Sequence, residues 1–162
     1  MFQLVKFLII AGFLAVITCI QPYTAATLDK TTPLPQGAIQ VFPDKIVWKD
    51  APSSVPAGAR MAVLEGDPKK KAMFTMRISL PPHYQLKPHW HPRNERVTVL
   101  QGSVHVGFGT VMDQAASTEL SAGCFYVNPA KAAHYIWTGE GPAVLQITGL
   151  GPWEVHAIGD KI

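Results

Sequence analysis

Charge of one sign is scarce in this chain. Lys and Arg number 14 against 11 Asp and Glu, a formal net charge of +3, and charged residues make up 15% of the whole. No dense basic stripe accompanies that small excess, which excludes a nucleic-acid partner held by phosphate neutralisation. Lys69-Lys70-Lys71, after Asp67-Pro68, reads as a solvated turn. Cysteine is nearly absent: Cys19 and Cys124 are the two, so the chain is not a disulfide-stapled scaffold. No fixed-period repeat and no low-complexity tract occur. The 13 glycines and 14 prolines are scattered and read as turn punctuation. Long apolar runs are missing after the first 20 residues, although 48% of the 162 residues are hydrophobic. Disorder is thereby excluded, and a single domain with a sizeable core is expected.

The one long apolar run, residues 7–20, follows Lys6, the sole charge among the first 28 residues. Small residues Thr24, Ala25 and Ala26 come next. A positive start, an apolar middle and a small-residue end describe a secretory signal peptide over 1–26. The expectation is an exported protein, periplasmic or secreted, with no membrane attachment after cleavage. Cys124 is then the remaining cysteine and reads as a small buried hydrophobe.

Residues 27–37 contain Pro33 and Pro35 and few large apolar side chains, as an extended arm or linker would. From residue 38 to 162 the pattern is all-β. Short runs rich in Val, Ile, Thr, Phe, Tyr and Trp occur at 39–42, 46–48, 62–64, 74–80, 96–100, 104–108, 124–127, 134–137, 144–148 and 154–157. The run 74–80 alternates, with Phe74, Met76, Ile78 and Leu80 on one face. Gln101-Gly102-Ser103 between two runs predicts a hairpin. Residues 111–117 alone read as helical, for one turn at most. Many short strands separated by turns argue for a sandwich or small barrel.

The segment Pro88-His89-Trp90-His91-Pro92-Arg93-Asn94-Glu95 carries the chemistry. In a strand, residues two apart share a face, so His89 and His91 point inward together and Trp90 away. Glu95 opens the next strand and reaches back toward the same point. Two imidazoles and a carboxylate suit a divalent transition metal. A later strand begins with His134, after the turn Asn128-Pro129-Ala130-Lys131.

These residues resemble the two motifs of the cupin superfamily. The first, G-x5-H-x-H-x3,4-E-x6-G, is met by His89, His91, Glu95 and Gly102, with His83 at the leading glycine. The second, G-x5-P-x-G-x2-H-x3-N, is met by Gly123, Pro129 and His134. Lys131 replaces its second glycine and Thr138 its asparagine. The stretch Gly149-Leu150-Gly151-Pro152-Trp153 looks like part of the pattern of small exported single-domain cupins. The resemblance implies a double-stranded β-helix, or jelly-roll barrel, with a metal in its mouth held by His89, His91, Glu95 and His134. It also implies pairing of two copies through sheet edges, a homodimer. The metal would be Mn, Fe, Ni, Co, Cu or Zn.

His105, Tyr126, Trp137 and Gln146 lie on runs that should border the cavity and are candidate lining residues. His83 and His156 read as surface histidines. No general acid or base stands out. Three functions therefore stay open: a metal-dependent enzyme of oxygenase or decarboxylase type acting on a small oxygen-rich molecule, a non-catalytic module that binds a metal or metabolite, and a stress or interaction protein stabilised by a structural metal.

Overall fold

The structure, a computed structural model, describes residues 33–159. Residues 1–26, expected to be a signal peptide, and most of the expected 27–37 arm lie outside them. Residues 39–159 carry eleven strands and no α-helix among the described residues. They are β1 (Lys49–Asp50), β2 (Arg60–Glu65), β3 (Met73–Leu80), β4 (Gln85–Trp90), β5 (Glu95–Gln101) and β6 (Ser103–Phe108), followed by β7 (Thr118–Ser121), β8 (Phe125–Asn128), β9 (His134–Trp137), β10 (Ala143–Leu150) and β11 (His156–Ala157). Two antiparallel sheets form, in the orders β1-β2-β3-β10-β5-β8 and β11-β4-β9-β6-β7.

The inner face of the first sheet follows from period-2 patterning. Phe74, Met76, Ile78 and Leu80 on β3 are buried, as are Val97 and Val99 on β5 and Leu145 and Ile147 on β10. Val104 and Val106 on β6 meet them from the second sheet. Each such side chain contributes about 1.5–3 kcal/mol by leaving water. The outer face of the first sheet is polar and pairs across strands. Thr75 and Thr148 hydroxyls lie 3.2 Å apart, and Arg77 Nε donates to Gln146 Oε1 at 3.2 Å. The β5–β6 hairpin needs Gly102: its φ is +68°, and an added Cβ would run into the Pro142 carbonyl.

Several local expectations are corrected. Residues 39–42 and 46–48 are not strands. Pro43–Lys45 forms a 3-10 turn between them, and Ile39, Phe42 and Val47 stay exposed, so no sheet neighbour covers this stretch. Residues 111–117 form no helix. Asp113 Oδ1 accepts from the Ala115 N–H and the Asp113 carbonyl from Ala116, so the segment is an Asp-anchored turn. β7, with Leu120 its one apolar residue, is a polar edge strand that apolar patterning does not reveal.

Candidate metal centre

β4 lies between β9 and β11 in the second sheet. Its pairing with β9 matches Leu86 to Ile136 and then His89 to His134, three residues along β4 against two along β9. This β-bulge falls at Lys87-Pro88, where proline has no N–H to give to a ladder. The extra residue turns His89 inward although Leu86, three positions earlier, also faces in. His91 follows the end of β4. The three imidazoles thus come from two neighbouring strands. Their ring centroids are 4.2 Å (His89–His134), 5.0 Å (His89–His91) and 5.1 Å (His91–His134) apart. Their ligand nitrogens lie within 4.8 Å of one another, and all three side chains are buried.

Backbone carbonyls fix the tautomers. Nδ1 of His89 lies 2.8 Å from the Lys87 carbonyl, Nδ1 of His91 2.7 Å from that of Glu154, and Nδ1 of His134 3.0 Å from that of Ala132. A carbonyl only accepts, so each Nδ1 carries the proton and donates it. The lone pair of each neutral ring then sits on Nε2. Three imidazole lone pairs facing one buried point form a donor set that fits a transition metal ion.

Glu95 lies beside this set rather than inside it: the mutually close donors are the three histidines. Its Oε2 is 3.4 Å from His91 Nε2 and accepts from Asn128 Nδ2 at 2.9 Å, while Oε1 accepts from Trp153 Nε1 at 2.7 Å. Burial opposes charge on Glu95, but His91 and these two donors outweigh it and hold the carboxyl well below the usual range. Burial likewise opposes a proton on His91, and the Glu95 carboxylate outweighs it and raises that pKa. Burial, reinforced by the neighbouring imidazoles, pushes His89 down to about 3. Burial also lowers His134. The His91–Glu95 pair therefore holds a proton where a cation would compete for it. Asn128 is fixed by its bond to the carboxylate, which can only accept, and its buried Oδ1 has no partner among the described residues.

The motif positions without glycine keep the glycine geometry. His83 and Lys131 have φ of +56° and +63°, the two non-glycine residues in the left-handed region among the described residues. Each costs roughly 1–2 kcal/mol against a right-handed backbone. Lys131 N–H donates to the His91 carbonyl at 2.8 Å, tying the turn before β9 to the end of β4. Thr138 Oγ1 accepts from Tyr84 N–H at 2.9 Å and donates to the Pro81 carbonyl at 2.7 Å, closing the loop that carries His83.

Behind the histidines, a cavity leaves about 30 Å³ for the centres of water-sized molecules, room for one or two waters. Apolar side chains such as Ile78, Leu86, Val97 and Leu145 line it, together with Tyr126, Asn128 and Trp153. Burial, and secondarily the Glu95 charge, push the Tyr126 phenol far above its ordinary range. Of the four candidate lining residues the structure places Tyr126 there. His105, Trp137 and Gln146 do not line it. Gln146 faces out toward Arg77, and His105 lies flat on Trp137 on the outer side of the second sheet, with centroids 3.7 Å apart. His156 stacks on Trp90 and pairs with Glu154 at 2.9 Å, and His83 lies 3.5 Å from Glu140 at the surface. Asn128 and Trp153 are the site residues that the sequence reading passed over. Asn128 stands next to the motif proline and Trp153 ends the Gly149–Trp153 stretch, so position in the motifs was the available signal.

No curated protein matches the chain in sequence. Among solved structures, the polyketide cyclase RemF from Streptomyces resistomycificus is similar at a TM-score of 0.61 and 17% identity, over 74% of this chain and 84% of that one. An RmlC-like cupin from Shewanella frigidimarina is similar at 0.53 and 16%, over 68% and 87%. The DMSP lyase DddQ from Ruegeria pomeroyi is similar at 0.52 and 16%, over 65% and 56%. These likenesses establish the fold, and the fold's neighbours include enzymes. The model of a domain of unknown function, DUF4437, a cupin-like family, matches residues 21–154, and the chain belongs to that family.

Proposed function

We propose that this is an exported cupin-fold metalloprotein holding one divalent transition ion on His89, His91 and His134. Glu95 is the fourth ligand in this reading, through Oε2, the oxygen beside His91. The observation that carries it is the set of three Nδ1–H groups committed to backbone carbonyls, which leaves three Nε2 lone pairs converging in a buried space. Bound there, an ion would polarise a carbonyl, acidify a water or hold two reactants side by side. The chain's own residues orient the rings, set their tautomers and exclude bulk water. Asn128 and Trp153 hold the carboxylate. The function is turnover of a small oxygen-rich molecule, of oxygenase or decarboxylase type, on a fold that also carries a cyclase and a lyase.

One observation favours the alternative of a binding module. The inner cavity is small and mostly apolar, and its phenol, Tyr126, is held neutral by burial. Elemental analysis of the purified protein beside His91→Ala tests the metal reading. Near one ion per chain in the parent and almost none in a folded variant is the expected result. Equal metal content in both overturns it.

A further inference from the structure

The segment Pro92-Arg93-Asn94 joins His91 to Glu95, and it has two sides. On the inner side a pocket of about 10 Å³ touches His91, Glu95 and Trp153. On the outer side Pro92, Arg93 and Asn94 line a groove of about 320 Å³, large enough for a small ligand. Leu150 also belongs to both. One short loop therefore separates the groove from the wall of the histidine centre.

Its chemistry is one-sided. Arg93 and Arg96 line it, and no acidic residue does. Among the described residues neither guanidinium has a hydrogen-bond or ion-pair partner. Both guanidinium groups present forked donors that fit a carboxylate. Beside them Met73 and Leu150, cross-strand partners on β3 and β10, are 58% and 40% exposed. The loop is held in place, since Asn94 Oδ1 accepts from the Ala130 N–H at 2.8 Å. Two free cations beside an apolar strip suit an organic anion with a short hydrocarbon body.

We infer that this groove docks a small aliphatic carboxylate, and that such acids are the substrate class delivered to the histidine centre. The second clause rests on the metal reading above. Three neutral imidazoles and one carboxylate leave a divalent ion with one positive charge, which a carboxylate neutralises. Trp153, which stacks on His91 at 5.6 Å between centroids, lines both the inner pocket and the cavity behind the histidines.

The test is titration of the ¹⁵N-labelled protein with hexanoate, hexan-1-ol and hexylamine, read by amide chemical shifts. Hexanoate is expected to give saturable shifts at Arg93, Asn94, Arg96 and Leu150, at least tenfold tighter than the alcohol or the amine. Arg93→Gln/Arg96→Gln, both exposed positions, is expected to weaken hexanoate at least tenfold while metal content and circular dichroism stay as in the parent. Equal affinity for the three compounds, shifts confined to another face, or an unchanged affinity in the double variant would each overturn the proposal. Running the titration on metal-loaded and metal-stripped protein separates the two readings. Metal uptake without docking removes the groove alone, and docking on a protein that takes up no metal removes the substrate assignment with the metal centre.

Discussion

Strand β9 presents two aromatic clusters back to back. Inward, His134 meets His89 and His91. Outward, Tyr135 and Trp137 meet Gly107 and His105 of β6, and residues 109–117 fold over them. Both clusters contain imidazole in ring contact, tilted or edge-on inward and stacked outward. They differ in where the polar atoms go. Outward, they are consumed locally: Tyr135 Oη donates to the Asp113 carbonyl at 2.7 Å and Trp137 Nε1 to Ser117 Oγ at 3.1 Å. Inward, the Nδ1 atoms are consumed and the Nε2 atoms face one another. A histidine in a β-barrel is thus read by the partner of each ring nitrogen, and its alternation along the strand gives only the side.

Removing an inner imidazole sharpens that contrast most. His134→Ala is expected to abolish measurable metal uptake, beyond the roughly 10–100-fold loss that follows removal of an outer partner. His105→Ala is expected to leave metal content unchanged and to cost about 0.5–1.5 kcal/mol for the lost stack on Trp137. Equal metal loss in both variants would erase the distinction. Acidifying the metal-stripped protein comes next. The folded pKa of His89 is depressed to about 3, so neutral His89 is favoured by the fold. Its contribution is complete above the unfolded value near 6.5 and is lost as pH falls toward 3, on the order of 5 kcal/mol. Urea midpoints from pH 8 to pH 4 are expected to fall, and to fall less in His89→Gln.

Trp153→Phe removes the donor to Glu95 Oε1 and leaves the ring stacked on His91. Metal affinity is expected to drop about 10–100-fold with the fold intact. On the outer cluster, Gly107→Ala places a Cβ in the Tyr135 ring. Overpacking of that kind costs about 1–3 kcal/mol. Thermal melts should show the loss and elemental analysis should show none, because the proposed metal site lies on the opposite face. Loss of metal in Gly107→Ala would mean that the two faces of β9 are coupled.

How much of this was legible in the sequence follows the same division. Spacing brought His89, His91, Glu95 and His134 together on paper, and β9 begins and ends where its aromatic run does. Alternation identified the inner row of β3 residue for residue. Lying on a run that borders the cavity did not place His105, Trp137 and Gln146 in it, because a period of two fixes alternation along a strand and leaves open which side faces the cavity. The covering segment, 109–117, has no apolar period of its own. The β4 bulge was also invisible, since it is counted across two strands and not along one. Trp153 reaches Glu95 from 58 residues away, a contact that no local pattern records.

The turn before β9 gives the smallest effect and the most direct test of what sets the strand's phase. Lys131 occupies it at φ +63° with its N–H on the His91 carbonyl. Lys131→Gly relieves the left-handed backbone and adds freedom to the unfolded chain, and the two effects oppose. A net gain of about 0.5–1 kcal/mol is expected, with metal content unchanged. Lys131→Val demands the same backbone of a β-branched residue, for which the conformation is a genuine outlier. If the turn alone sets which residues of β9 face inward, that variant shifts the phase by one residue and exchanges His134 for Tyr135 in the interior. Metal is then lost in step with stability. If the packing of Ile136 and Tyr135 on β6 sets it, the valine variant is less stable by about 1–2 kcal/mol and still binds its ion. The buried state of Ile136 and the contact of Tyr135 with Gly107 favour this second outcome.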